Sequence, residues 1–244
     1  MTALSVNLNK LALLRNSRGR NYPDLLLFAA RYIALGVKGI TIHPRPDERH
    51  IRRSDVYSLA EFLKAYPDVE YNIEGYPSPA FLQLIKDVRP AQCTLVPDSD
   101  DQLTSDHGWD CVGQGEFLRN IIAEIKTYGV RCALFLDPDP AQAAAAAAVG
   151  ADRVELYTEA YAQAHGTSSQ QAVWQTYAAT ANRAQAVGLG VNAGHDLCLD
   201  NLGDFLAIEG ILEVSIGHAL TIECIEQGLE VVISRYLALC RAAS

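Results

Sequence analysis

Four residues in this chain have side chains suited to moving protons near neutral pH, and each stands at or inside a short apolar run. His43 closes Gly39-Ile-Thr-Ile, Glu74 closes Tyr71-Asn-Ile, Glu155 lies between Val154 and Leu156, and His195 follows Val191-Asn-Ala-Gly. Imidazoles titrate near neutrality and serve as general acids and bases. A carboxylate in a buried strand needs either a partner or a task. Taken singly, such a residue is as often a hydrogen-bonded structural group as a catalytic one, and an ion pair with a buried cation competes for Glu155. The set carries more weight, because four of the six histidines (His43, His50, His195 and His218) sit at or just beyond the ends of such runs.

Groups able to hold anions accompany them. Gly217-His218-Ala219-Leu220 joins an apolar run to a helical pattern, where glycine lets the backbone approach a ligand and the helix N-terminus points its amides at an anion. Arg45, Arg49, His50, Arg52 and Arg53 form a cationic cluster, of which Arg45 and His50 flank the end of the second run, while Arg52 and Arg53 are better read as solvated. Arg15 and Arg18 form a third basic element. In a chain of net charge -9 these clusters indicate local recognition of small anions, and the overall sign argues against nucleic acid or an anionic membrane surface as partner.

The elements that must position these residues repeat along the chain. Strand-like runs occur at Leu4–Leu8, Gly39–His43, Glu70–Glu74, Cys93–Pro97, Arg131–Asp137, Arg153–Thr158, Gly190–Gly194 and Leu212–Gly217. Each is a short apolar stretch bounded by Gly, Pro or polar residues, as buried parallel strands are. Helical patterns follow most of them: Tyr22 to Gly36, Ser54 to Leu63 with Ser54 as cap, Pro79–Val88, Gln114–Tyr128, the alanine-rich Pro140–Val149, Ser168–Val187, the short Leu199–Ile208 and a closing Ala219–Arg241. A helix-terminal glycine and a tight turn precede several strands, as in Ala-Val-Gly150-Ala-Asp-Arg-Val. With no linker or composition break, the 244 residues read as one domain, 1–244, with a (β/α)8 TIM barrel as fold class. An open doubly wound sheet is the alternative, but its Gly-rich first turn is absent. In a barrel all the strand ends converge on one face, which is where barrel enzymes keep their active sites. Asn7, Asn9 and Lys10 then join the cluster. The long polar stretch from Pro97 to Gly115 becomes a candidate lid after strand four, with its acidic run solvated and Thr104 turned inward.

The bulk composition agrees. Hydrophobic residues make up 49% and charged residues 20%, enough for a sizeable core. The six cysteines are scattered with neither disulfide nor zinc spacing, and read as buried reduced thiols. No signal-like N-terminus occurs and no apolar run approaches the roughly 20 residues of a membrane helix, so a cytoplasmic location is expected. No metal is expected either, since strand one is not followed by His-x-His and no Asp ends strand eight.

Several of these segments in order resemble one known family. Val6-Asn-Leu-Asn-Lys-Leu-Ala-Leu-Leu-Arg-Asn-Ser-Arg-Gly, Gly39-Ile-Thr-Ile-His-Pro-Arg-Pro-Asp-Glu-Arg-His-Ile-Arg, Leu95-Val-Pro, Val191-Asn-Ala-Gly-His-Asp-Leu and Ile216-Gly-His-Ala together are similar to pyridoxine 5'-phosphate synthases. The resemblance implies a barrel that condenses 1-deoxy-D-xylulose 5-phosphate with 3-amino-2-oxopropyl phosphate, without metal or organic cofactor. It implies His43, Glu74 and His195 as acid/base residues with Glu155 assisting by stabilising positive charge. By the same carry-over, Asn7, Arg18, Asp196, Gly217 and His218 would hold the amino-ketone phosphate, and Asn9, Lys10, Arg45, His50 and Thr104 the deoxyxylulose phosphate. Many members carry Asp-His in place of Asn9-Lys10, and Gly in place of Asp196. A homo-oligomer built from dimers, up to an octamer, is also implied, with Arg18 reaching a neighbouring subunit. Another barrel lyase or isomerase of sugar phosphates, or a phosphate-ligand sensor without turnover, are the competing functions. A strand lysine would favour an aldolase, and the strands assigned above contain none.

Overall fold

A computed structural model of the protein describes residues 1–98, 102 and 104–242. In chain order the elements are β1 (Ala3–Asn7), α1 (Asn9–Asn16), α2 (Leu25–Ala34), β2 (Gly39–Ile42), α3 (Arg53–Leu63), β3 (Glu70–Gly75), α4 (Pro79–Val88) and β4 (Gln92–Leu95). There follow α5 (Gly115–Thr127), β5 (Arg131–Leu136), α6 (Pro140–Ala148), β6 (Arg153–Tyr157), α7 (Glu159–Ala164), α8 (Gln170–Ala186) and β7 (Gly190–Gly194). The chain closes with α9 (Leu202–Phe205), β8 (Ile211–Ile216), α10 (His218–Gln227) and α11 (Leu229–Ala242). Each strand pairs in parallel with the next and β8 pairs with β1, so the sheet is a closed (β/α)8 barrel rather than an open one.

A period of two along the strands decides which side chain faces where. Leu4 and Val6, Ile40 and Ile42, Tyr71 and Ile73, Cys93 and Leu95 all belong to the apolar core shared with the surrounding helices. Each fully buried aliphatic side chain there contributes about 1.5–3 kcal/mol. The alternate residues Ser5, Thr41, Asn72, Thr94, Glu155 and Asn192 are also buried, yet polar. They face the lumen, because several reach strands that are not their neighbours. Thr94 on β4 lies 3.4 Å from Glu155 on β6, and Asn192 on β7 lies 3.4 Å from Gln92 on β4. Bulky branched residues usually fill a barrel of this kind; here hydrogen bonds fill much of it.

Some expected boundaries move. The closing helix is two helices, because Gly228 takes φ 92° between α10 and α11. Helices α1 and α7 form where no helix was expected. Ser54 does not cap α3; its start is held by Asp55, whose carboxylate accepts from the Arg52 N–H at 2.8 Å. The stretch after β4 is not uniformly polar and loose. Trp109 and Cys111 are buried, and Trp109 Nε1 donates to the Leu95 carbonyl at 2.9 Å, anchoring its second half to the barrel rim. Asp98 is buried rather than solvated, while Asp100 and Asp101 of the acidic run lie outside the described residues.

Candidate active site

The C-terminal mouth of the barrel gathers residues from every part of the chain. At its centre, His43 Nδ1 lies 3.9 Å from Glu74 Oε2, across the ends of β2 and β3. Two asparagines at the end of β1 set this pair. Asn7 donates through Nδ2 to Glu74 Oε2 at 3.4 Å and accepts the Asn9 N–H at 2.9 Å. Asn9 in turn accepts the His43 N–H at 2.9 Å. Asn9 therefore orients the β2 end from β1, and does so through its side-chain oxygen.

Burial, then the charges of Arg45, His50 and Arg49, hold His43 well below the usual imidazole range. Burial, then the neighbouring Glu155, Asp98 and Glu213, hold Glu74 well above the usual carboxylate range, against the pull of Arg45. Burial favours the uncharged form of each, which weakens their 3.9 Å approach as an ion pair. Glu155, deeper in the lumen, is pushed up to about 8 by burial and by Glu213, with the Thr94 hydroxyl opposing. It is therefore mainly protonated at neutrality. Gly194 makes room for it, since a Cβ there would sit 2.5 Å from Glu155 Oε1.

His195 stands opposite, at the end of β7. Its Nε2 lies 3.1 Å from Thr104 Oγ1, its Nδ1 3.2 Å from Asp196 Oδ2, and the Tyr157 ring meets it edge-on at 4.9 Å. Tyr157, Val96 and Phe135 form a small apolar wall on this side. Thr104, although exposed, does turn to the site as expected.

The groups for anions are distributed less simply. Gly217 and His218 open α10, whose first-turn amides lack intrahelical acceptors, and a Cβ on Gly217 would sit 3.0 Å from Asn7 Cβ. His50, its pKa depressed to about 4 by burial and by Arg45, Arg49 and Lys10, stacks edge-on with His43 at 6.4 Å. Its Nδ1 accepts the Ile51 N–H at 2.9 Å, which leaves Nε2 as the donor. Lys10 is exposed, and its charge acts on both His50 and Asp196, so it stands between the two sides of the mouth. Arg45 is buried and pairs with Asp98 at 2.5 Å, with a further bond to the Gln102 carbonyl at 3.1 Å. The second oxygen of Asp98 has no hydrogen-bond partner among the described residues. A cavity of about 260 Å³ opens between this pair, His43 and the start of α4.

Two basic residues lie away from this cluster. Arg15 is buried in a two-pronged pair with Asp55, at 2.6 and 2.8 Å, and ties α1 to α3. Arg18 lies beyond α1, exposed, and its side chain meets none of the cluster among the described residues. The polar side chains of the lumen, Ser5, Thr41, Asn72, Thr94, Gln92 and Asn192, were not singled out in the sequence. The signal was present as strict alternation, in Ala-Leu-Ser-Val-Asn, Gly-Ile-Thr-Ile-His and Glu-Tyr-Asn-Ile-Glu. No group of three or more His, Cys, Asp or Glu side chains among the described residues is arranged to hold a metal ion, and no described helix is long and apolar enough to cross a membrane.

Known proteins were compared with the chain and its fold. The family described as pyridoxal phosphate biosynthesis protein PdxJ matches residues 4–242. A pyridoxine 5'-phosphate synthase of Xanthomonas campestris pv. campestris (strain B100) is 52% identical over 246 residues, covering 98% of this chain and 96% of its own. One from Albidiferax ferrireducens is 50% identical over 242 residues, covering 97% and 96%. Among solved structures, 3-hexulose-6-phosphate synthase from Salmonella typhimurium superposes over 100% of both chains with TM-score 0.67 at 15% identity. Phosphoribosyl anthranilate isomerase from Thermus thermophilus gives TM-score 0.58 at 14% identity, covering 98% of this chain and 100% of its own. Those two share the barrel fold, and no more is drawn from them.

Proposed function

Because this chain belongs to the pyridoxal phosphate biosynthesis protein PdxJ family, we propose that the mouth of its barrel is the active site of a pyridoxine 5'-phosphate synthase. The reaction condenses 1-deoxy-D-xylulose 5-phosphate with 3-amino-2-oxopropyl phosphate, closing the pyridine ring with loss of phosphate and water. The observation that carries the site assignment is the buried pair of His43 and Glu74, facing each other at 3.9 Å at the strand ends, with burial lowering the imidazole and raising the carboxyl.

The reaction needs repeated proton transfer in both directions, and this pair supplies both. An amine adding to a ketone must lose a proton, which the lone pair of His43 takes. The hydroxyl that leaves must gain one, which Glu74 gives. Each such group contributes roughly 10²–10⁴-fold. Glu155, protonated below about pH 8, supplies a second acid deeper in the lumen and leaves an anion beside a cationic imine. His195 works from the other side, where it protonates departing groups and helps close the ring. The wall of Val96, Phe135 and Tyr157 keeps water away from enol and imine intermediates.

The two phosphates have separate supports. The α10 N-terminus at Gly217 and His218, beside Asn7, suits the phosphate of the amino ketone. Lys10, His50 and Thr104 suit that of the deoxyxylulose, with Asn9 ordering the backbone at His43. Arg45 joins them when Asp98 releases it. Exposed Leu13 and Leu14 on α1 and Ile222 and Ile225 on α10 form an apolar face across two packed helices. This face supports assembly into a homo-oligomer built from dimers, in which Arg18, just past α1, reaches the mouth of a second copy. A cytoplasmic enzyme acting on free phosphorylated metabolites fits these features.

The test is to mix purified protein with both phosphates in EDTA and follow pyridoxine 5'-phosphate by absorbance. Product is expected, and it should vanish in His43→Asn, Glu74→Gln and His195→Asn. Wild-type turnover in all three variants would remove the site assignment.

A further inference from the structure

The backbone around His195 is held in a form that few residues accept. His195 and Asp196 both take positive φ, 91° and 57°, which non-glycine residues adopt only where their surroundings hold them. Thr158 Oγ1 donates to the Gly194 carbonyl at 2.7 Å and also to the His195 carbonyl, and Asn201 Nδ2 donates to the Asp196 carbonyl at 3.1 Å. The outcome of this clamping is that the Asp196 carboxylate turns back onto its neighbour's ring, 3.2 Å from Nδ1, while Nε2 faces the mouth beside Thr104 at 3.1 Å.

A carboxylate can only accept, so the hydrogen of a neutral His195 lies on Nδ1 and the lone pair on Nε2, to which the Thr104 hydroxyl donates. Other charges keep the carboxylate ionised. The hydrogen bond with His195, and then the charges of His195, His218 and Lys10, hold Asp196 below the usual carboxylate range. A carboxylate turned toward a bound phosphate would repel it; this one is turned away, onto the imidazole.

We propose that Asp196 is a positioning residue: its carboxylate fixes the tautomer of His195 so that Nε2 is the nitrogen exchanging protons with substrate. The proposal rests on reading His195 as an acid/base residue, and the experiment separates the two. Asp196→Gly and Asp196→Asn are the variants to make. Glycine favours φ 57° and asparagine tolerates it, so both keep the turn while removing the charge. Histidine labelled with ¹⁵N, assigned by the signal missing in His195→Asn, reports the tautomer at a pH where the ring is neutral. Wild type is expected to show hydrogen on Nδ1, and Asp196→Gly hydrogen mainly on Nε2, as in free imidazole. Turnover should fall about 10-fold in kcat, with KM for both substrates within about twofold. The loss stays well short of the ~10⁴-fold found when a buried orienting carboxylate is neutralised, because the Asp196 side chain is 41% exposed. An unchanged tautomer in Asp196→Gly, or a loss confined to KM, overturns the proposal. Wild-type turnover in His195→Asn instead overturns the acid/base reading on which it rests.

Discussion

The mouth and the floor of this barrel are built from the same strands and hold the same kinds of residue, yet the two glutamates of β3 shift in opposite directions. On β3, Glu70 and Glu74 both face the lumen, four residues apart. At the floor Glu70 pairs with Arg131, and although burial pushes its pKa up, the hydrogen bonds and charge of Arg131 take it below the usual range. Nearby, Glu213 lies 3.7 Å from Arg153, yet burial pushes its pKa up to about 7 against the pull of that cation. At the mouth Glu74 meets no lysine or arginine among the described residues, since Arg45 pairs with Asp98, and the charges of Glu155, Asp98 and Glu213 add to burial in raising it. Partners and burial, rather than residue type, decide which glutamate is an ion and which is a proton donor.

The largest effect that would break this comparison is on turnover. Glu74→Gln should lower kcat by about 10²–10⁴-fold while the unfolding midpoint stays where it was or rises, since a neutral acid is exchanged for a neutral amide. A variant that keeps its activity would place Glu74 with the floor residues.

Next in size is the ion pair that keeps a cation out of the mouth. Asp98→Ala leaves a buried Arg45 without its partner, and about 3–5 kcal/mol of stability should be lost in denaturant unfolding. An unchanged midpoint would mean that Arg45 finds another anion at once.

A smaller effect carries a sign that differs between the two ends. An unfolded glutamate ionises near 4.5 and folded Glu155 near 8, so between those values the folded state binds more protons and unfolding free energy falls as pH rises. Relative to wild type, Glu155→Gln should gain stability across that window and exceed it by upward of about 1 kcal/mol at pH 8. A difference that stays flat with pH would show Glu155 to be ionised in the folded protein.

Smallest is the floor counterpart. Glu70→Gln should cost about 0.5–1 kcal/mol, because the Glu70 side chain is 43% exposed and water screens the pair. Its folded pKa is depressed, so this contribution is present above the unfolded value and is lost as pH falls. Wild type and variant should converge in acid, with kcat nearly unchanged throughout.

Much of the site was legible before any coordinates. His43, Glu74, Glu155 and His195 could be grouped because parallel strands in a barrel must all end on one face. That argument needs only the order of elements. Arg15 and Arg45 show where such reasoning stops. Arg45 follows a strand end and Arg15 closes α1, but Arg15 is committed to Asp55 and Arg45 to Asp98, 40 and 53 residues away. No local pattern announces either pair. The polar lumen was legible in principle, since Ser5, Thr41 and Asn72 alternate with apolar residues, but the runs were read for their apolar content alone.

The order of the strands and of most helices, and the identity of the proton-active groups at the strand ends, follow from local rules: apolar periodicity, helix caps and the shared direction of parallel strands. Charge states, tautomers and the partners of each arginine were decided only by the tertiary structure. They depend on burial and on distances of a few ångströms between residues remote in the chain, as for Thr104 and His195, 91 positions apart. Coulomb and desolvation energies change steeply over such distances, and spacing along a sequence does not encode them.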